Sequence, residues 1–257
     1  MKDYTNYKSS LSKVNDIDLE ILKDKSRELL DLRFNGFKDS ATHYMKNSSY
    51  FSDIIKSPFF INSTKPRVVI FVHDFYDSPH VRRWLLFEDF YEWLYFILSS
   101  ICTDNDYFLK LHPNSSNETI TIINNILIKF PFVKLIPMEI SGKKLIEEGF
   151  DLAITNHGTV AHELPLFNIP VLCSGDNPHI TFNFCYTATT LDEFKNLIQS
   201  PLNVRKLINW ECVKEEVFSF YSIHNLYDDD LPISKDEINI INRYRNIESE
   251  DDWIEFV

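Results

Sequence analysis

The chain has 257 residues and a hydrophobic content of 44%, enough to build a core, which excludes wholesale disorder. Its net charge of −12 excludes broad nucleic-acid binding, because that needs a basic face. The four cysteines, Cys102, Cys173, Cys185 and Cys212, contain no CxxC pair, so the expectation is reduced thiols and neither a disulfide framework nor a zinc site.

The N-terminal MKDYTNYKSSLSKVND lacks the apolar core of a signal segment. Asp16 is expected to cap a helix running to about Phe34, with Ile17, Ile21, Leu22, Leu29 and Leu30 on its buried face and Gly36 as its stop. A short helix or loop over 39–55 and a connector over 57–66 follow, and residues 1–66 read as a helical N-terminal extension and linker.

Strands and helices then alternate. RVVIFV (67–72) is a β-branched strand, 87–103 a long amphipathic helix, and DYFLKL (106–111) a second strand. The helix 87–103 is too short and too charged to span a bilayer, so no transmembrane segment is expected. A helix over 118–129, a strand over 133–136 and a helix over 141–148 come next. DLAITNHGTVAHELPLFNIPVLCSG (151–175) reads strand, polar elbow, helix, strand. Helices are expected over 191–199 and 204–221, followed by an acidic turn at 228–230 and a last helix near 235–245. The fold class is therefore α/β: a Rossmann-like, mostly parallel sheet flanked by helices over 67–200, with a helical C-terminal extension over 201–257.

A parallel sheet places its strand C-terminal ends on one edge, and ligands bind there. Three polar loops fall on that edge: 73–80, 112–116 and 156–159. In the first, His73, Asp74, Asp77, Ser78 and His80 crowd together; Asp77 or His80 can act as a general base, or the loop is a solvated turn. Arg82 and Arg83 follow and can neutralise phosphate. In the second, His112 can donate to a phosphate while Pro113 sets the direction of the loop; the alternative is a loop histidine with no ligand. In the third, Asn156, His157, Gly158 and Thr159 offer amides and side-chain donors for a phosphate, or Thr159 is simply a helix N-cap. Glu163, one turn along, can accept from ribose hydroxyls, stay solvated or pair with a cation. No HExxH, GxSxG, GxxxxGK[ST] or GxGxxG pattern occurs, so a zinc hydrolase, serine hydrolase, P-loop NTPase or dinucleotide dehydrogenase is not expected.

KLHPN (110–114) followed by TNHGTVAHELPLFNIPVLCSG (155–175) resembles the donor-binding half of GT-B glycosyltransferases. The nearest likeness is to bacterial capsule and surface polysaccharide biosynthesis proteins, including the Kdo transferases; CDP-glycerol glycerophosphotransferases and His-Pro-containing sialyltransferases are more distant. The resemblance implies that His112 and Pro113 contact the nucleotide phosphate, that Gly158 and Thr159 hold phosphate, and that Glu163 holds the ribose. It makes 73–80 the loop after the first strand of a C-terminal domain, with His73 and Ser78 among the substrate contacts.

The implied activity is glycosyl transfer from a nucleotide sugar, CMP- or CDP-linked, to a glycan or lipid-linked glycan. The implied setting is the cytoplasm, at most peripheral to the inner membrane, with no cofactor. No metal is implied, since no Asp-x-Asp pair stands at a strand end. Two departures stand out. Asn156-His157-Gly158-Thr159 replaces the two small hydroxyl residues of many relatives, and about 66 residues precede the first clear strand, in place of a second Rossmann-like domain. That shortfall makes a partner chain carrying the acceptor domain one expectation. An epimerase of the same fold and a non-catalytic module docking on a polysaccharide synthase are the rival readings.

Overall fold

The computed structural model describes residues 4–38, 48–50, 57–60, 64–76 and 86–226. Short turns and α1 (Tyr7–Ser10) lead into α2 (Asp16–Phe34). Asn15, and not Asp16, caps α2: its side chain accepts from the Asp18 amide. Gly36, at φ 92°, ends it, with Gly36 N–H bonded to Arg33 O and Phe37 N–H to Leu32 O, the paired bonds of a left-handed C-terminal cap.

The buried face of α2 differs from expectation. It carries Leu22, Ser26, Leu30 and Arg33, whereas Ile17 and Ile21 are exposed. Two polar residues can occupy that face because each finds a partner: Ser26 Oγ lies 3.0 Å from Ser222 Oγ, and Arg33 reaches into the site described below.

Six strands form one all-parallel sheet: β1 (Arg67–Val72), β2 (Asp106–Leu111), β3 (Lys134–Ile136), β4 (Leu152–Ile154), β5 (Val171–Ser174) and β6 (Tyr186–Ala188). Their order is β3-β2-β1-β4-β5-β6, so the winding reverses between β1 and β4. The strand run of 67–72 has the bounds its sequence predicts. β6 was not expected: three residues, only one of them fully buried, carry too weak a pattern.

Alternation along β1 assigns the two faces. Val68, Ile70 and Val72 pack with Trp93 and Leu94 of α3 (Phe90–Ser100), Ile123 of α4 (Asn117–Lys129) and Phe194 of α7 (Leu191–Gln199). Val69, Ala153 and Val171 pack on the other side with Leu30 of α2, Leu145 of α5 (Gly142–Glu148), Ala161 of α6 (Val160–Glu163) and Phe220 of α9 (Val213–Tyr221). Side-chain caps set the helix starts: Asp89 for α3, Ser116 for α4, Ser141 for α5 and Thr190 for α7.

The helix expected over 204–221 is two, α8 (Pro201–Leu207) and α9, separated at 208–212. α2 packs against α9, so the segments before and after the sheet share one core layer. The acidic turn at 228–230, the helix near 235–245 and most of 39–55 lie outside the described residues. Among the described residues no helix is long and apolar enough to cross a membrane.

Candidate functional site

The site builds from strand register. β1 pairs with β2 at Val72↔Leu111 and with β4 at Ile70↔Ile154. Carrying both registers past the strand ends sets His112, His73 and His157 side by side on the C-terminal edge. The His73 and His157 rings stack at 4.5 Å, and His73 also stacks on Phe90 at 4.8 Å, the first residue of α3. The stacked rings of His73 and His157 thus stand where the sheet changes winding, with His112 at the matching backbone position after β2; open α/β sheets bind ligands at this reversal.

Hydrogen bonds fix His73 and His112. His73 Nε2 lies 3.1 Å from Thr155 Oγ1, which also accepts from Gly158 N–H at 3.2 Å. A Cβ at Gly158 would lie 2.8 Å from that same oxygen, so only glycine lets the loop fold back on Thr155. His112 Nδ1 accepts from Asn114 N–H at 3.2 Å; in the neutral ring the proton then sits on Nε2, a donor. Pro113 forms the turn between those two residues.

Asp74 joins the first loop to the second: its carboxylate accepts from Ser116 N–H at 2.6 Å and Tyr76 N–H at 3.0 Å. Burial alone would raise its pKa, but the bonds from Ser116 and Tyr76 prevail and hold it below the usual carboxylate range. Lys110 of β2 is buried; its ammonium donates to the carbonyls of Ile140 at 2.6 Å and Pro137 at 3.1 Å, bracing the turn after β3.

The third loop departs from expectation at its end. Thr159 holds the N-cap position with a helical backbone, but its side chain makes no cap bond; its Oγ1 instead accepts from Arg33 Nη2 at 2.9 Å. The helix it was to open is the single turn α6, continued as a 3₁₀ turn, Leu164–Phe167. Among the described residues no acceptor lies against the N–H groups of Thr159 and Val160. Asn156 is buried and tied to the next strand, Ser174 Oγ donating to its Oδ1 at 3.0 Å.

Glu163 lies beneath the loop, 1% exposed. Arg33 Nη2 is 2.6 Å from its Oε1, and Tyr50 O–H donates to Oε2 at 2.6 Å. Burial and then the Glu163 charge push the Tyr50 phenol well above its ordinary pKa, so it remains a donor. Of the alternatives open for Glu163, the carboxylate is the cation-paired one. Sequence reading missed Arg33 and Tyr50; each lies more than a hundred residues from its partner and follows no motif.

His73, His112, Pro113, Asn156, His157, Gly158 and Thr159 therefore gather at the winding reversal, with Glu163 below. Asp77, Ser78, His80, Arg82 and Arg83 lie outside the described residues.

No family model and no curated protein matches the sequence. Among solved structures, the chain is similar to KpsC of Thermosulfurimonas dismutans, a beta Kdo 2,4 transferase, at 15% identity and a TM-score of 0.44, over 87% of this chain and 62% of that one. It is also similar to HepE of Anabaena, solved in complex with UDP-glucose, at 14% identity and a TM-score of 0.44, over 62% of this chain and 46% of that one. The chain spans less than two thirds of the length of either.

Proposed function

We propose that the protein binds a nucleotide-activated sugar in the crevice between the ends of β1 and β4 and transfers the sugar to an acceptor hydroxyl. The observation that supports this reading is the stacked pair His73 and His157 at the reversal of winding, with His112 at the matching backbone position after β2. The sequence motifs at 110–114 and 155–175, which resemble those of GT-B enzymes, occupy two of the three loops at that edge.

In this reading His112 donates through Nε2 to the phosphate of the departing nucleotide. Gly158 and Thr159 present the loop amides to the diphosphate or monophosphate. The acceptor oxygen attacks the anomeric carbon, the bond from that carbon to the phosphate oxygen breaks, and the nucleotide leaves with the electron pair. Asp77 or His80 takes the proton of the acceptor hydroxyl. Glu163 holds Arg33 and Tyr50 and so supports the loop from below; a ribose contact would need it to release Tyr50.

A CMP- or CDP-linked donor, a glycan or lipid-linked glycan acceptor, a partner chain carrying an acceptor domain, and work on surface polysaccharide at the cytoplasmic side of the membrane complete the proposal.

Calorimetric titration with CMP, CDP, UDP and GDP tests it. One nucleotide should bind selectively, and His112→Ala should weaken it about tenfold, the loss of one charge-assisted hydrogen bond. Absence of binding by all four, or full affinity in His112→Ala, overturns the reading.

A further inference from the structure

A cluster of metal-ligating side chains that the proposed activity does not use lies where β5 runs through a loop into β6. Cys173 on β5, His179 in the loop after it and Cys185 just before β6 converge, all three buried, with one ligand atom of each within 4.8 Å of the others. We propose that these three residues hold a zinc ion that fastens the β5–β6 loop to the sheet.

The ligand set selects the ion. Two thiolates and an imidazole suit a borderline-soft d¹⁰ cation and not the hard oxygen-seeking Mg²⁺ or Ca²⁺. Zinc bonds of about 2.3 Å to sulfur and about 2.0 Å to nitrogen put tetrahedral ligand atoms about 3.5–3.8 Å apart, so closing on the metal needs a movement of about 1 Å.

A supporting contact is in place as well. His162 Nδ1 lies 3.1 Å from His179 Nε2, so His179 can bind through Nδ1 while its Nε2–H donates to His162, the arrangement usual for metal-bound imidazoles. His162 is itself buried, between the rings of Phe220 and Tyr221. His179 sits 4.6 Å from the Phe220 ring and 5.7 Å from Phe184, an apolar surround that keeps bulk water from the thiolates.

The loop has reason to be fastened. Residues 175–185 contain no helix or strand, yet much of the loop is buried. Asn177 bonds Gly175 O and Thr187 Oγ1 at 3.0 Å each and accepts from His179 N–H at 2.9 Å, which aims His179 inward. Binding replaces both S–H protons by S–Zn bonds and releases two protons; an exogenous ligand completes the fourth position. Cys173-x5-His179-x5-Cys185 contains no CxxC pair, the pattern on which the sequence-based expectation of no zinc site rested.

The test uses the whole chain, reduced and refolded from urea with Zn²⁺ or with Co²⁺ as the spectroscopic probe. The expected result is about one metal per chain by elemental analysis and a near-ultraviolet thiolate-to-cobalt charge-transfer band with tetrahedral d–d bands. Both should vanish in Cys173→Ser/Cys185→Ser and persist in Cys102→Ser/Cys212→Ser. The far-ultraviolet circular dichroism of Cys173→Ser/Cys185→Ser should match that of the metal-free wild-type chain, so that loss of metal is not a failure to fold, and His179→Cys should keep the metal, with a stronger charge-transfer band from the third thiolate. Three results overturn the proposal: no charge-transfer band in the wild-type chain, undiminished metal in Cys173→Ser/Cys185→Ser, or a Cys173–Cys185 disulfide by mass spectrometry in protein that takes up no metal after reduction.

Discussion

His157 and His162 lie on the same short segment, one on either side of the turn into α6, and meet opposite surroundings. His157 is half-buried and stacks on His73 at the sheet edge. His162 is 2% exposed, 5.1 Å from the Phe220 ring, and faces a second imidazole. One end of the segment presents polar groups to a crevice. The other places Glu163 and His162 in the interior, where Glu163 pairs with Arg33 and Tyr50 and His162 with His179. The same residue type is left at the sheet edge or bracketed in the interior according to what the fold packs around it.

The largest way to break that contrast is at the buried end. Arg33→Met leaves Glu163 as a buried carboxylate with Tyr50 as its remaining described partner, and should cost about 3–5 kcal/mol by urea denaturation. A loss below about 1 kcal/mol would show that the pair is not what holds α6.

At the crevice end, Gly158→Ala drives a methyl against Thr155 Oγ1 and should cost about 1–3 kcal/mol together with nucleotide affinity. Thr155→Ala in the same chain should restore much of the stability; failure to do so would locate the strain elsewhere.

The smallest effect sharpens the comparison through pH. His162 has its folded pKa depressed by burial and by His179, Arg33 and His224, so the unfolded chain binds a proton that the folded chain refuses. Stability should therefore be full above the ordinary histidine value of about 6.5 and fall below it, at up to about 1.4 kcal/mol per pH unit. Asp74 and Glu193, both depressed carboxylates, add their losses at lower pH, below the usual carboxylate range. Replacing His162 with phenylalanine, to match its aromatic neighbours, should flatten the profile between about pH 6.5 and 5. An unchanged profile would mean that another group sets it.

Much of the architecture is readable from local pattern. RVVIFV marks β1 and DYFLKL marks β2, and the helices over 118–129, 141–148 and 191–199 have nearly the bounds their sequence predicts, because strand preference and helical periodicity act over a few residues. The loops at 73, 112 and 156 could be assigned to one edge for the same reason: strands alternating with helices imply a parallel sheet. α2 shows where that logic stops. Its apolar periodicity points to Ile17 and Ile21, yet Ser26 and Arg33 are buried instead, because Ser222 and the Thr159–Glu163 pair await them on that side.

Local sterics and hydrogen bonding therefore carry the identity of the elements, their approximate bounds and the edge on which polar loops gather; these reside in contiguous residues. The company each side chain keeps is a different matter. The alignment of His112, His73 and His157 depends on register across three strands, the Arg33–Glu163–Tyr50 cluster on where α2 docks, and the meeting of Cys173, His179 and Cys185 on how an irregular loop returns to the sheet. Those pairings join residues far apart in the chain, or joined only by a loop without regular structure, and packing the core sets them; no short-range preference encodes them.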